Sequence, residues 1–268
     1  MNDYVHGYSS SETERLDDQA QVLRRLLHHD VRFREGAKVL EAGCGTGAQT
    51  VILAGNNPAA HFVAVDLSEA SLKEAAASVS AHGFTNVSLE RQDIFELRYP
   101  DNYFDHIFCC FVLEHLPDPN LALREFKRVL KVGGSITVIE GDHGSFFCHP
   151  PSEDISAAVD CLVELQRQKG GDALIGRRLF PLLSAAGFAS VQVSPRTIYA
   201  DDSLPEVVNG FSKRTFIAMV AGIKDEAIEQ QLISTQRWQQ AMADFNLTVG
   251  SEGTFCYTFF KAVGLNSG

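Results

Sequence analysis

Short apolar runs alternate with amphipathic stretches from residue 38 to residue 140. Residues 38–42 predict a first strand, and Ala48-Gln49-Thr50-Val51-Ile52-Leu53 reads as a helix. His61-Phe62-Val63-Ala64-Val65-Asp66 predicts a second strand after the Asn56-Asn57-Pro58 turn. Ser68 caps an alanine-rich helix that stops at Gly83. Residues 87–90 predict a third strand. A fourth follows at 104–111, and its near-continuous apolarity fits a sheet covered on both faces. Pro119 suits the first turn of a helix that ends near Leu130. Gly133-Gly134 then turns the chain into a fifth strand at 135–140.

Five alternations of strand and helix specify a doubly wound α/β sheet, with ligands expected at the carboxyl ends of its strands. Past residue 140 the pattern loosens. Residues 151–170 and 176–186 read as helices, 191–199 as a sixth strand and 254–263 as a seventh, with helical periodicity over 203–246. Upstream, Ser11-Glu12-Thr13-Glu14 forms a capping box for a helix running to about residue 28. The expected division is a helical arm at 1–35, an α/β domain at 36–199 and 253–268, and a helical lid inserted at 200–252.

The chain has 268 residues, enough for a full core, and a formal charge of -11. It has no long Lys/Arg run, which disfavours a polynucleotide partner. Met1-Asn2-Asp3-Tyr4 is not the start of a signal peptide. No apolar run approaches the roughly 20 residues of a membrane helix, so a cytoplasmic protein is expected. Six cysteines are scattered without a C-x-x-C pair and read as free buried thiols. Asp142, His143, Cys148 and His149 match no standard zinc spacing, and no metal is expected. Oligomeric state is left open, with a homodimer as one option.

The most informative segment is Glu41-Ala42-Gly43-Cys44-Gly45-Thr46-Gly47. It is a strand-to-helix turn with three glycines at alternate positions, preceded by an acid. Such a turn lets a ligand lie against bare backbone. Asp66 ends the second strand 19 residues after Gly47. An acid there can accept hydrogen bonds from ribose hydroxyls, or it can serve the helix that starts at Ser68.

The spacing G-x-G-x-G, with Glu41 two residues ahead, resembles motif I of the class I S-adenosylmethionine-dependent methyltransferases. Three later segments resemble the same family: Arg91-Gln92-Asp93-Ile94, Leu113-Glu114-His115-Leu116-Pro117-Asp118, and Leu130-Lys131-Val132-Gly133-Gly134, where Val132 replaces a proline. Over residues 36–142 the chain is similar to the small-molecule branch that includes the ubiquinone and menaquinone C-methyltransferases. The resemblance implies a Rossmann-like seven-stranded sheet of order 3-2-1-4-5-7-6 with strand 7 antiparallel.

It also implies S-adenosylmethionine as cofactor, held by Tyr8, Gln19, Glu41, Ala42, Gly43, Cys44, Gly45, Gly47, Asp66, Leu67, Gln92, Asp93, Ile94 and Phe111. Backbone N–H groups of the loop suit the methionine carboxylate, and Glu41 suits the ammonium. Asp93 is expected at the adenine amino group with Ile94 on the ring; a plain turn role for Asp93 is the alternative. His143 and His115 are the candidates for a general base. Phe146, Phe147, Arg177, Phe211 and Trp238 stand where an acceptor pocket would be built.

The Pro-Pro-Tyr/Phe signature of adenine and glutamine amino-methyltransferases is absent, as are the paired cysteines of RNA cytosine-5 enzymes. The C-terminal histidine signature associated with quinone C-methyltransferases is also absent. The expected acceptor is therefore an enclosed small organic molecule. Two other readings differ in class. One is an NAD(P)-dependent oxidoreductase, which needs G-x-G-x-x-G and a catalytic tyrosine–lysine pair or its equivalent. The other is a cofactor-binding subunit without turnover of its own.

Overall fold

The computed structural model describes residues 20–268. Helix α1, residues 20–28, is followed by β1 (Lys38–Ala42), α2 (Ala48–Asn56), β2 (His61–Asp66), α3 (Glu69–Ala81), β3 (Val87–Arg91) and β4 (Phe104–Cys110). A 3-10 turn at Leu113–His115 leads to α4 (Pro119–Val129) and then to β5 (Leu130–His149). Next come α5 (Glu153–Gln168), α6 (Leu179–Ala185), β6 (Ala189–Ala200), α7 (Pro205–Val207), α8 (Ala218–Gly222), α9 (Lys224–Glu229), α10 (Thr235–Thr248) and β7 (Thr254–Leu265). The seven strands form one sheet in the order β3-β2-β1-β4-β5-β7-β6, with β7 antiparallel, as the resemblance implies. β1 runs parallel to both β2 and β4, with Leu40 opposite Val63 and Ile107.

Local chemistry explains the helix starts. Ser68 accepts a hydrogen bond from the Ser71 N–H at 3.2 Å, closing the first turn of α3. Asp118 accepts from the Asn120 N–H at 3.0 Å, and Pro119 follows at the first helical position of α4.

The chain divides into two compact units. One holds residues 27–140, 176–195 and 260–268; the other holds the described residues up to 26 together with 141–175 and 196–259. In the first, Val39, Leu40, Phe62, Phe104, Phe108, Phe126 and Val138 form the core, both faces of the parallel strands being covered. In the second, Phe211, Phe216, Phe245, Phe255 and Tyr257 are buried together, with Phe216 edge-on to Phe255 at 5.2 Å and stacked on Phe146 at 5.1 Å. The segment expected as a lid, 200–252, falls within the second unit.

Two elements differ most from the sequence reading. The fifth strand begins at Leu130 and runs to His149, far beyond the six residues expected. The Gly133-Gly134 pair does not precede the strand but forms a bulge inside it. Phe104 pairs with Leu130 and His106 with Ser135, so the extra residues of β5 loop out at Gly133, whose φ is 80°. A Cβ at Gly134 would stand 2.8 Å from the Asp105 carbonyl oxygen, so only glycine fits there. The helical periodicity over 203–246 also conceals a change of pitch. Val208–Ile217 is a π-helix, in which the Thr215 hydroxyl donates to the Gly210 carbonyl at 2.9 Å.

Buried Asp105 ties down the base of β4. It accepts the Lys38 N–H at 2.9 Å, the Lys131 ammonium at 2.9 Å and the Arg34 guanidinium at 2.5 Å. Burial opposes ionisation, but these three donors outweigh it and hold the carboxyl at about 2. A lowered carboxyl pKa adds stability above the unfolded-state value and loses it as pH falls towards the folded value. The contribution from Asp105 is therefore lost between about pH 4 and pH 2. Asp105→Asn should flatten that part of an acid-unfolding curve followed by circular dichroism. An unchanged curve would remove this role.

Candidate active site

Glu41 ends β1 and is 2% exposed. Its Oε2 has no hydrogen-bond partner among the described residues. Burial pushes its carboxyl up to about 8; the nearby Thr50 hydroxyl acts against this and the Asp66 carboxylate with it. At neutral pH the group is therefore protonated, and an incoming cation would supply the partner it lacks.

The turn after Glu41 takes its shape from its glycines. Gly43, Gly45 and Gly47 have φ values of 70°, 52° and 86°, all in the left-handed region that other residues rarely enter. Two of the three are also crowded. A Cβ on Gly43 would lie 2.6 Å from Val112 Cγ2, and one on Gly47 would lie 3.0 Å from Ala75 Cα. At Gly45 the space is open. The Gly43 and Cys44 N–H groups both donate to the Val65 carbonyl at 2.9 Å, which fastens the loop to the end of β2.

Asp66 serves the fold directly. One carboxylate oxygen accepts the Gly45 N–H at 2.8 Å and the other accepts the Ser68 N–H at 2.9 Å. The helix-start role weighed in the sequence is present, and the acid also braces the glycine loop. Each oxygen retains a second lone pair for a ribose hydroxyl.

Past β3, Gln92 is buried and its amide is engaged, donating to Glu90 at 2.8 Å and accepting the Arg98 N–H at 2.9 Å. Asp93 is exposed and accepts the Phe95 N–H at 2.9 Å, so a turn role for it is realised. Ile94 is half-buried, and Leu67 is 56% exposed beside Asp66, an apolar surface at the strand ends. β4 stops at Cys110, one residue earlier than expected, because Phe111 turns to a φ of 58°. A bulky residue in that region is strained.

The two candidate bases fall in different units. His115 lies 3.6 Å from the Glu114 carboxylate, in the unit that holds the glycine loop. His143 belongs to the second unit. It is buried, its Nδ1 is 2.7 Å from the Tyr257 hydroxyl, and its backbone N–H donates to the Ala173 carbonyl at 2.9 Å. Phe211 and Trp238 are buried there, whereas Phe147 is 60% exposed. Tyr8, Gln19 and the capping box at Ser11 lie outside the described residues.

One residue was not singled out in the sequence. Glu140 is completely buried in β5, and its Oε1 accepts the N–H groups of Val112 at 3.1 Å and Leu113 at 2.8 Å. The available signal was the one that marked Glu41: an acid ending an apolar strand. A tyrosine–lysine spacing of the oxidoreductase kind also exists, at Tyr257 and Lys261. The pair lies on β7, and residues four apart on a strand stand about 13 Å from each other. Lys261 is bound to Asp30 at 2.6 Å. The spacing therefore does not assemble a catalytic pair.

Residues 33–169 match the methyltransferase domain family. Demethylmenaquinone methyltransferase from Staphylococcus aureus is 37% identical over 127 residues, which are 46% of this chain and 51% of that protein. The chain thus spans about half the length of the curated relatives it matches. Among solved structures, the YcgJ protein of Bacillus subtilis superimposes with a TM-score of 0.58 at 16% identity, covering 96% of this chain and 99% of that one. Phosphoethanolamine N-methyltransferase 2 of Haemonchus contortus, solved with phosphomonomethylethanolamine and S-adenosylhomocysteine, gives a TM-score of 0.59 at 15% identity, covering 97% of this chain and 59% of that one. At such identities the likeness shows the shared fold. The family match takes in just over half of the 268 residues, and the chain belongs to the methyltransferase domain family, in the class that uses S-adenosylmethionine.

Proposed function

We propose that this protein transfers the methyl group of S-adenosylmethionine to a small organic acceptor. One observation carries the reading: a buried carboxyl with an unpartnered oxygen, Glu41, directly ahead of a glycine turn held in left-handed conformation. That combination suits a zwitterionic amino-acid tail. Glu41 would take the ammonium and loop N–H groups the carboxylate. Asp66 would hold the ribose through its free lone pairs. Asp93 would meet the adenine amino group, with Ile94 and Leu67 on the ring.

When bound, the donor supplies an electrophilic methyl on a sulfonium. The chain's own part is to fix that group relative to the acceptor, and such positioning can account for much of the rate. His115, in the same unit as the glycine loop, is a candidate base.

Calorimetric titration with S-adenosylhomocysteine, S-adenosylmethionine and NAD tests the donor assignment. The methionine derivatives should bind and NAD should not; the reverse pattern would sink the reading. Asp66→Ala should weaken S-adenosylhomocysteine by about 2 kcal/mol or more, through loss of the ribose contact and of the loop brace. Unchanged affinity would remove Asp66 from the site. A screen of small acceptors with methyl-labelled donor then identifies the second substrate.

A further inference from the structure

Three successive backbone donors after β4 turn onto two successive residues of β5. The Phe111 N–H donates to the Ile139 carbonyl at 2.9 Å, and the next two N–H groups, of Val112 and Leu113, converge on Glu140 Oε1. The segment they hold contains Phe111 at a φ of 58° and places Val112 against Gly43 so closely that no Cβ fits there. A loop in so unfavourable a conformation persists only where its surroundings over-determine it. Here the surroundings include the Ile139 carbonyl and, for the two amides that follow, one buried carboxyl. All of these residues lie in one compact unit.

We infer that Glu140 is a positioning residue for the donor: by gripping the Val112 and Leu113 amides it sets the wall that Val112 presents to the methionine end of the glycine loop. The inference rests on the assignment of that loop to S-adenosylmethionine. Glu140 does not touch the donor in this account and acts through Val112. Burial, reinforced by the Glu114 carboxylate, pushes the Glu140 carboxyl well above its usual range. Its other oxygen, Oε2, has no hydrogen-bond partner among the described residues. Glutamine therefore reproduces both its shape and its acceptor, whereas alanine leaves the buried Leu113 N–H and the part-buried Val112 N–H without one.

The test uses the full chain and S-adenosylhomocysteine as probe, with affinity measured by calorimetry at pH 7. Glu140→Gln should bind within about threefold of the wild type, and Glu140→Ala about tenfold or more weaker. Val112→Ala should also weaken binding. Adding it to Glu140→Ala should cost no more than about a further twofold, because the two residues act in series. Wild-type affinity in Glu140→Ala, equal damage from Gln and Ala, or independent multiplication of the two effects overturns the inference. If Glu140→Ala fails to fold, Glu140→Gln and Val112→Ala decide. The first must keep affinity and the second must lose it, and a contrary result for either overturns the inference. A folded wild type that does not bind S-adenosylhomocysteine at all refutes the donor assignment instead.

Discussion

Replacing Glu41 with glutamine should lower affinity for S-adenosylhomocysteine by about 2 kcal/mol, in the range of a lost charge-assisted hydrogen bond, and should remove its pH dependence. The second effect is the more diagnostic. In the free protein the carboxyl ionises near pH 8, with burial as the chief cause. Beside a ligand ammonium it is ionised at much lower pH, so binding below pH 8 releases a proton. Wild-type affinity should climb between about pH 6 and pH 8, by up to about tenfold per unit, and then level off. Titrations in buffers of different ionisation enthalpy would reveal the released proton. A flat profile for the wild type would remove Glu41 from the ammonium site.

The same group has the opposite effect on the empty protein. Its folded pKa is raised, so the unfolded chain gives up this proton first, and stability falls as pH rises from about 4.5 towards 8. Glu41→Gln should therefore raise the melting temperature of the free protein at pH 8 while it weakens the ligand. A variant that loses both would point to a packing role alone.

The second large effect belongs to Gly47. Alanine there must adopt a left-handed backbone and also press its Cβ onto Ala75 Cα, which is main chain and cannot rotate away. We expect Gly47→Ala to destabilise by about 3 kcal/mol, summing about 1–2 for the conformation with a similar amount for the crowding. Gly45→Ala shares the backbone requirement but meets open space, so its cost should be about 1 kcal/mol. Urea unfolding of the two variants side by side separates conformation from crowding. Equal losses would show that the approach of α2 to α3 is not what demands glycine at position 47.

The parallel half of the sheet was legible because its signals are local. β1, β2 and β4 are short, largely apolar runs, β3 alternates apolar and polar residues, and α3 and α4 announce themselves through Ser68 and Asp118-Pro119. β5 was misread in length because Gly133-Gly134 signals a turn in any local reading. Only the pairing of Phe104 and His106 with β4's neighbour reveals a bulge. The π-helix at Val208–Ile217 was invisible for a similar reason: apolar spacing in a short window does not distinguish a pitch of 3.6 residues from a wider one.

Within the candidate site, the motif picks out Glu41 and the glycines. Glu140 was passed over because its role is to accept amides from a loop 27 residues earlier, a relation no spacing rule encodes. Asp66 illustrates the converse. The sequence posed a choice between ribose and helix start, and the carboxylate already serves the helix start and the glycine loop together.

That double anchoring of Asp66 bears on how a ligand would arrive. The Gly45 and Ser68 amides are gathered onto one carboxylate, and Gly43 and Cys44 onto one carbonyl, all within the protein's own backbone and side chains. The loop is thus preorganised, and little conformational entropy remains to be lost on association. Encounter then becomes a docking event onto a rigid cradle. Differences in affinity among ligands that share the methionine and adenosine ends should accordingly reside in how slowly they leave.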